Sequence, residues 1–79
     1  DQTRPLRAEL ATIETRLARI GAERDELEAA LSANTLAPAE IADAGRQLNH
    51  IAAETTQLEE RWLALSSEIE SLAGASSTN

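Results

Sequence analysis

The sequence predicts an all-α protein, an antiparallel two-helix coiled-coil hairpin. Three observations carry that prediction: two stretches in which apolar residues recur at alternating spacings of three and four, and a breaker segment around Pro38 that separates them.

In the first stretch the apolar residues are Leu6, Leu10, Ile13, Leu17, Ile20, Leu27 and Leu31, and the alternation is unbroken once Arg24 is counted in the series. With Leu10, Leu17, Arg24 and Leu31 at heptad position a, and Leu6, Ile13, Ile20 and Leu27 at d, Arg24 is the one polar residue in the seam. Its aliphatic stem is expected to lie along the seam while the guanidinium reaches water. This predicts a helix over about 5–33.

Residues 34–37 are expected to turn, because Pro38 cannot continue a helix and disfavours helical geometry at Ala37. Pro38 suits the first position of a new helix and Glu40 the third, with Leu36 placed to close against Ile41 as a hydrophobic staple. Ala37 is a poor cap.

The second series runs Ile41, Ala44, Leu48, Ile51, Thr55, Leu58, Trp62, Leu65, Ile69, Leu72, with only Thr55 polar. Such a run fits a helix of about nine turns packed along one stripe, over about 38–73. Gly74 is the expected C-terminal cap and 74–79 a disordered tail.

A connection this short makes the helices antiparallel. Pairing each a position with a d position across the hairpin then joins Leu27 with Leu48, Leu17 with Leu58 and Leu10 with Leu65. The same register sets Glu14 near Glu59 and Arg16 near Arg61, like charges that count against it. About fifteen seam side chains, at roughly 1.5–3 kcal/mol for each large one before ordering entropy, predict modest stability. A second copy or the rest of a parent protein would add burial, so self-association is one expectation.

Composition narrows function. The 79 residues hold seven Arg, no Lys, fourteen acidic side chains, one His, one Trp and no Cys, for a net charge of −7. A chain this short has little volume for a core with a substrate cleft. The absence of Cys excludes disulfides and thiolate metal cages and fits the cytoplasm. No apolar run reaches membrane-spanning length, and the start lacks both Met and a signal-peptide core, so the chain reads as an excised internal or C-terminal piece. Residues 2–24 carry five Arg against three Glu; from Asp25 onward two Arg face ten acidic residues.

No phosphate-binding loop, dinucleotide turn or His-Glu-x-x-His motif occurs, so neither catalysis nor a cofactor is expected. His50, at position c, has Glu54 one turn on, too few ligands for a zinc site, and is assigned no function. Trp62, at a, is read as a core anchor ahead of a base-stacking platform. Gly21 and Gly45, both at e, either permit close helix approach or loosen the helices. Arg4, Arg7, Arg16 and Arg19 are the candidate phosphate contacts, although at about 100° per residue they spread around the first helix, as a solvated mixed-charge surface also does.

Three segments carry a family resemblance: Gln2-Thr3-Arg4-Pro5-Leu6-Arg7-Ala8-Glu9-Leu10, Leu27-Glu28-Ala29-Ala30-Leu31 before the turn, and Leu58-Glu59-Glu60-Arg61-Trp62-Leu63 in the return helix. Over roughly residues 2–72 the chain resembles the C-terminal coiled-coil domain of ABC-F ATPases of the Uup and YheS type. The resemblance implies a non-catalytic arm on a cytoplasmic two-cassette ATPase that works on the ribosome. Its implied partners are ribosomal RNA or DNA and the rest of the parent ATPase, with no membrane, and the ATP sites would lie outside this chain. The turn lacks the Asp-Pro and aromatic residue often found in the family, and Lys is absent, departures that count against nucleic-acid contact in particular. The alternative is a structural coiled coil for protein–protein interaction or oligomerisation.

Overall fold

The computed structural model describes residues 2–77, which form two helices, α1 (Arg4–Ser32) and α2 (Pro38–Ser77), packed against each other as a hairpin. Among the described residues there is no strand. The molecule is a rod with extents of 63 × 16 × 15 Å, and α2 alone, at about 1.5 Å per residue, accounts for nearly all of that length. Because α2 has 40 residues and α1 29, the last turns of α2 run past the start of α1.

The helix ends follow from local chemistry. At the start of α1 the Thr3 carbonyl accepts the Arg7 backbone N–H at 2.8 Å. The Thr3 hydroxyl is taken by the Arg7 Nε at 3.2 Å and makes no side-chain cap. α1 ends because Asn34 adopts a positive φ of 57°, the left-handed conformation that Asn tolerates better than most residues. The Ala33 N–H bonds the Ala29 carbonyl at 3.0 Å and the Asn34 N–H that of Leu31 at 3.2 Å, which tightens the last turn. At the start of α2, Glu40 reaches back to accept the Ala37 N–H at 2.8 Å, one half of a capping box, and this supplies what Ala37 lacks as a cap. Leu36 is half-buried but Ile41 stays 46% exposed, so the expected staple leaves much of Ile41 in water.

At the other end of α2, Gly74 does not act as the terminator. The helix continues through it to Ser77, and no described glycine has a positive φ. Ala73 and Ala75 flank it with good helix formers, and no large apolar residue follows in the sequence to close a Schellman contact. Of the expected 74–79 tail, Thr78 and Asn79 lie outside the described residues.

The core is one seam. Its buried residues are Ile13, Ile20, Ala44, Ile51 and Leu65, all at position d. The residues at a, among them Leu10, Leu17, Leu48 and Trp62, are only half-buried. With two helices there is a single interface, so the d side chains fill its centre and the a side chains form its margins. Arg24 behaves as its stem-and-head chemistry dictates: its guanidinium turns outward to Asp25 at 3.1 Å and Glu28 at 3.8 Å on its own helix.

Leu65 is fully buried, and Leu65→Ala is expected to cost about 2–5 kcal/mol, comparable with the whole stability of so thin a core, about 3–5 kcal/mol. Leu63→Ala, at a side chain 63% exposed, should change stability by less than about 0.5 kcal/mol. Urea titrations followed by far-ultraviolet circular dichroism compare the two. A Cβ added at Gly45 meets nothing within 4 Å, so Gly45→Ala should stabilise the helix by about 0.5–1 kcal/mol in the same titration.

Candidate nucleic-acid interface

The four arginines singled out by sequence all lie on α1, and the structure gives them different employment. Arg16 is committed to the other helix: its Nε donates to Glu54 Oε2 at 2.6 Å and its Nη2 to Glu54 Oε1 at 3.0 Å, a bidentate fork. Arg7 donates to the Thr3 hydroxyl. Arg19 is 75% exposed and reaches only Glu23 of its own helix, at 3.8 Å. Arg4 is exposed, with no side-chain hydrogen bond or ion pair among the described residues.

A second fork mirrors the first. Arg61 donates from Nε to Glu9 Oε2 at 2.8 Å and from Nη2 to Glu9 Oε1 at 3.0 Å. Moving seven residues back along α1, from Arg16 to Glu9, moves the partner seven forward along α2, from Glu54 to Arg61, as an antiparallel pair requires. All four residues occupy position g. The expected clash of Arg16 with Arg61 therefore does not arise, because each guanidinium takes a carboxylate from the opposite helix. The sequence pairing set g residues one heptad out of step; matching Arg16 with Glu54, both at g, is the signal that would have found them.

Electrostatics follow from these forks. Hydrogen bonds from Arg61 hold the Glu9 carboxyl below the usual range, with the charge of Arg61 adding and desolvation opposing. Arg16 does the same to Glu54, where the charge of His50 adds a further downward pull. The two guanidiniums are correspondingly raised by their carboxylate partners.

Charge is also divided along the rod. The end remote from the turn, residues 4–19 with 58–72, carries five Arg against six Glu. The half nearest the turn, residues 20–57, carries Arg24 and Arg46 against seven acidic residues. Both of those arginines sit beside carboxylates of their own helices, Arg24 with Asp25 and Glu28 and Arg46 with Asp43 at 3.5 Å.

Trp62, the expected core anchor, is half-buried and its Nε1 donates to Glu14 Oε2 at 3.1 Å. Its ring closes one margin of the seam instead of standing out as a platform. Among the described residues no group of three or more His, Cys, Asp or Glu side chains is placed to hold a metal ion, and no helix is long and apolar enough to cross a membrane.

Residues 2–67 match the family described as the ABC transporter C-terminal domain. The chain belongs to that family. It is thus a C-terminal domain of an ABC-transporter-related protein, and the family spans both helices of the hairpin and the turn between them. No curated protein and no solved structure matches the chain.

The forks of this ABC transporter C-terminal domain make its stability depend on pH in a defined direction. Carboxyls whose folded pKa is depressed contribute stability that is complete above the unfolded value, about 4.3, and is lost as pH falls through the folded value. A Glu9→Gln/Glu54→Gln variant should therefore melt below the parent at neutral pH. The difference should vanish in acid, where the parent's own carboxyls are protonated; thermal melts of both across that range check it.

Proposed function

We propose that the domain is the non-catalytic C-terminal arm of a cytoplasmic ABC-F ATPase of the Uup or YheS type, and that it engages ribosomal RNA or DNA through the end remote from the turn. The observation that supports this reading is the distribution of arginine. Of the seven, Arg16 and Arg61 are forked onto interhelix carboxylates, and Arg24 and Arg46 are neutralised in the acidic half. That leaves Arg4, Arg7 and Arg19, the last held only loosely by Glu23 of its own helix at 3.8 Å. At about 100° per residue these three fall within an arc of about 120° on α1, a narrower stripe than the four make together. Arg16 is the one outside it. The contact residues are thus Arg4, Arg7 and Arg19, and Arg16 maintains the arm's shape. The acidic half turns phosphate away.

A second reading, an arm for protein contact, is favoured by one observation, the exposed Leu63 on α2.

Fluorescence anisotropy with labelled duplex DNA and with ribosomal RNA fragments, at low and near-physiological salt, tests the proposal and separates the two nucleic acids. An Arg4→Ala/Arg7→Ala/Arg19→Ala variant should lower the salt slope by about 0.9 for each duplex phosphate it no longer neutralises. Arg16→Ala should reduce thermal stability and leave the slope nearly unchanged. Binding by the triple variant equal to that of the parent would refute the contact assignment. No binding even at low salt would leave protein contact as the function.

A further inference from the structure

The two rims of the seam are built differently. The g rim is closed by the Arg16–Glu54 and Glu9–Arg61 forks. On the e rim, α1 presents Arg7, Glu14, Gly21 and Glu28 and α2 presents Gly45, Ala52, Glu59, Ser66 and Ala73. Among the described residues no ion pair crosses the hairpin there; the contact that does is the Trp62 indole on Glu14.

Two grooves lie along this open rim. One, of about 390 Å³, is lined by Leu17, Glu59, Trp62 and Leu63. The other, of about 370 Å³, is lined by residues that include Arg24, Glu28, Ala52 and Thr55. Leu17 to Arg24 on α1 and Trp62 to Thr55 on α2 are each one heptad, so the grooves repeat at about 10 Å along the axis. That is the spacing of residues i and i+7 on the apolar stripe of a packed helix. Gly21 lies between them, and a Cβ built there meets only the Arg24 guanidinium, at 3.9 Å. The saddle between the grooves is low because no side chain fills it, and the hairpin itself has no steric need of a glycine there.

Charge selects the occupant. Glu14, bonded to Trp62, and Glu59 flank the first groove, and neither has an ion-pair partner among the described residues. Carboxylates beside a half-apolar groove attract an incoming cation. A second copy of this chain brings the same carboxylates and another seven net negative charges. Nucleic acid brings phosphates.

We infer that the e rim is a docking groove for an amphipathic helix of a partner protein, with apolar residues seven apart seated in the two grooves and a Lys or Arg set between Glu14 and Glu59. The inference uses the opposite chemistry to the phosphate-contact reading, and it shares with it only Arg7, one heptad along the same rim from Glu14.

Trp62 is the chain's single Trp and reports from inside the first groove. The probes are two synthetic helical peptides with Leu at i and i+7, one flanked by Lys and the other by Glu. The Lys peptide should shift Trp62 emission saturably and the Glu peptide should not. Leu63→Glu, at an exposed position, and Gly21→Gln, which fills the saddle, should each weaken the Lys peptide by about tenfold or more. Glu14→Gln/Glu59→Gln should weaken it and flatten its salt dependence. Circular dichroism and urea midpoints of each variant establish that the hairpin is retained; Leu63→Glu and Gly21→Gln are separate routes to the same loss should one of them unfold it. Equal binding of the two peptides, no emission shift with either, or full binding by a folded Leu63→Glu or Gly21→Gln variant would overturn the inference. An emission shift that grows with protein concentration alone would overturn it in favour of a second copy.

Discussion

Burial of Ile13, Ile20, Ala44, Ile51 and Leu65 in a single seam is the constraint from which the other features of the hairpin follow. Two helices share one contact surface, so every deeply buried side chain must come from the one heptad position that points into its centre. The a residues are left at the margins, where Trp62 finds a polar partner for its indole and Arg24 finds carboxylates of its own helix for its guanidinium. A core of this kind has length but no depth. It forms a stiff rod and leaves the chemistry to the residues that flank it.

Those flanks divide the labour. One rim is fastened by two bidentate Arg–Glu forks, whose planar geometry fixes register more firmly than point charges do. The other carries small residues and carboxylates with Arg7 at its far end, and its apolar margins are open to solvent. Committing two arginines of the remote end to the first rim leaves Arg4, Arg7 and Arg19 as the cations of that end not tied across the hairpin. The same two pairs thus serve the fold and shape the surface on which phosphate contact is proposed.

Much of the architecture was legible in the spacing of apolar residues. The alternation of three and four through Leu6–Leu31 and Ile41–Leu72, interrupted at Pro38, specified both helices, their orientation and the seam. Periodicity treats a and d alike, however, so it did not show that only the d residues are deeply buried; that asymmetry arises when the partner is one helix instead of several. The end of α1 was read from Pro38, although the residue that turns the chain is Asn34, in the left-handed conformation. Gly74 carried a terminator's identity without the following apolar contact that makes a glycine terminate. The rim was the least readable part, because long charged side chains choose between neighbours one heptad apart and the seam permits either choice. Arg16 illustrates this: the sequence register set it near Arg61, and Glu54 holds it instead.

Length separates the two ends of the rod electrostatically. In physiological salt the field of a surface charge decays over about 8 Å, while the molecule is 63 Å long. The carboxylates beside the turn are therefore screened from anything bound around Arg4 and Arg7, and the reverse holds too. A net charge of −7 describes the chain as a whole, but no ligand experiences that sum. Each approaches a local potential several screening lengths from the other, so one narrow hairpin can present two ends of unlike character without either cancelling the other.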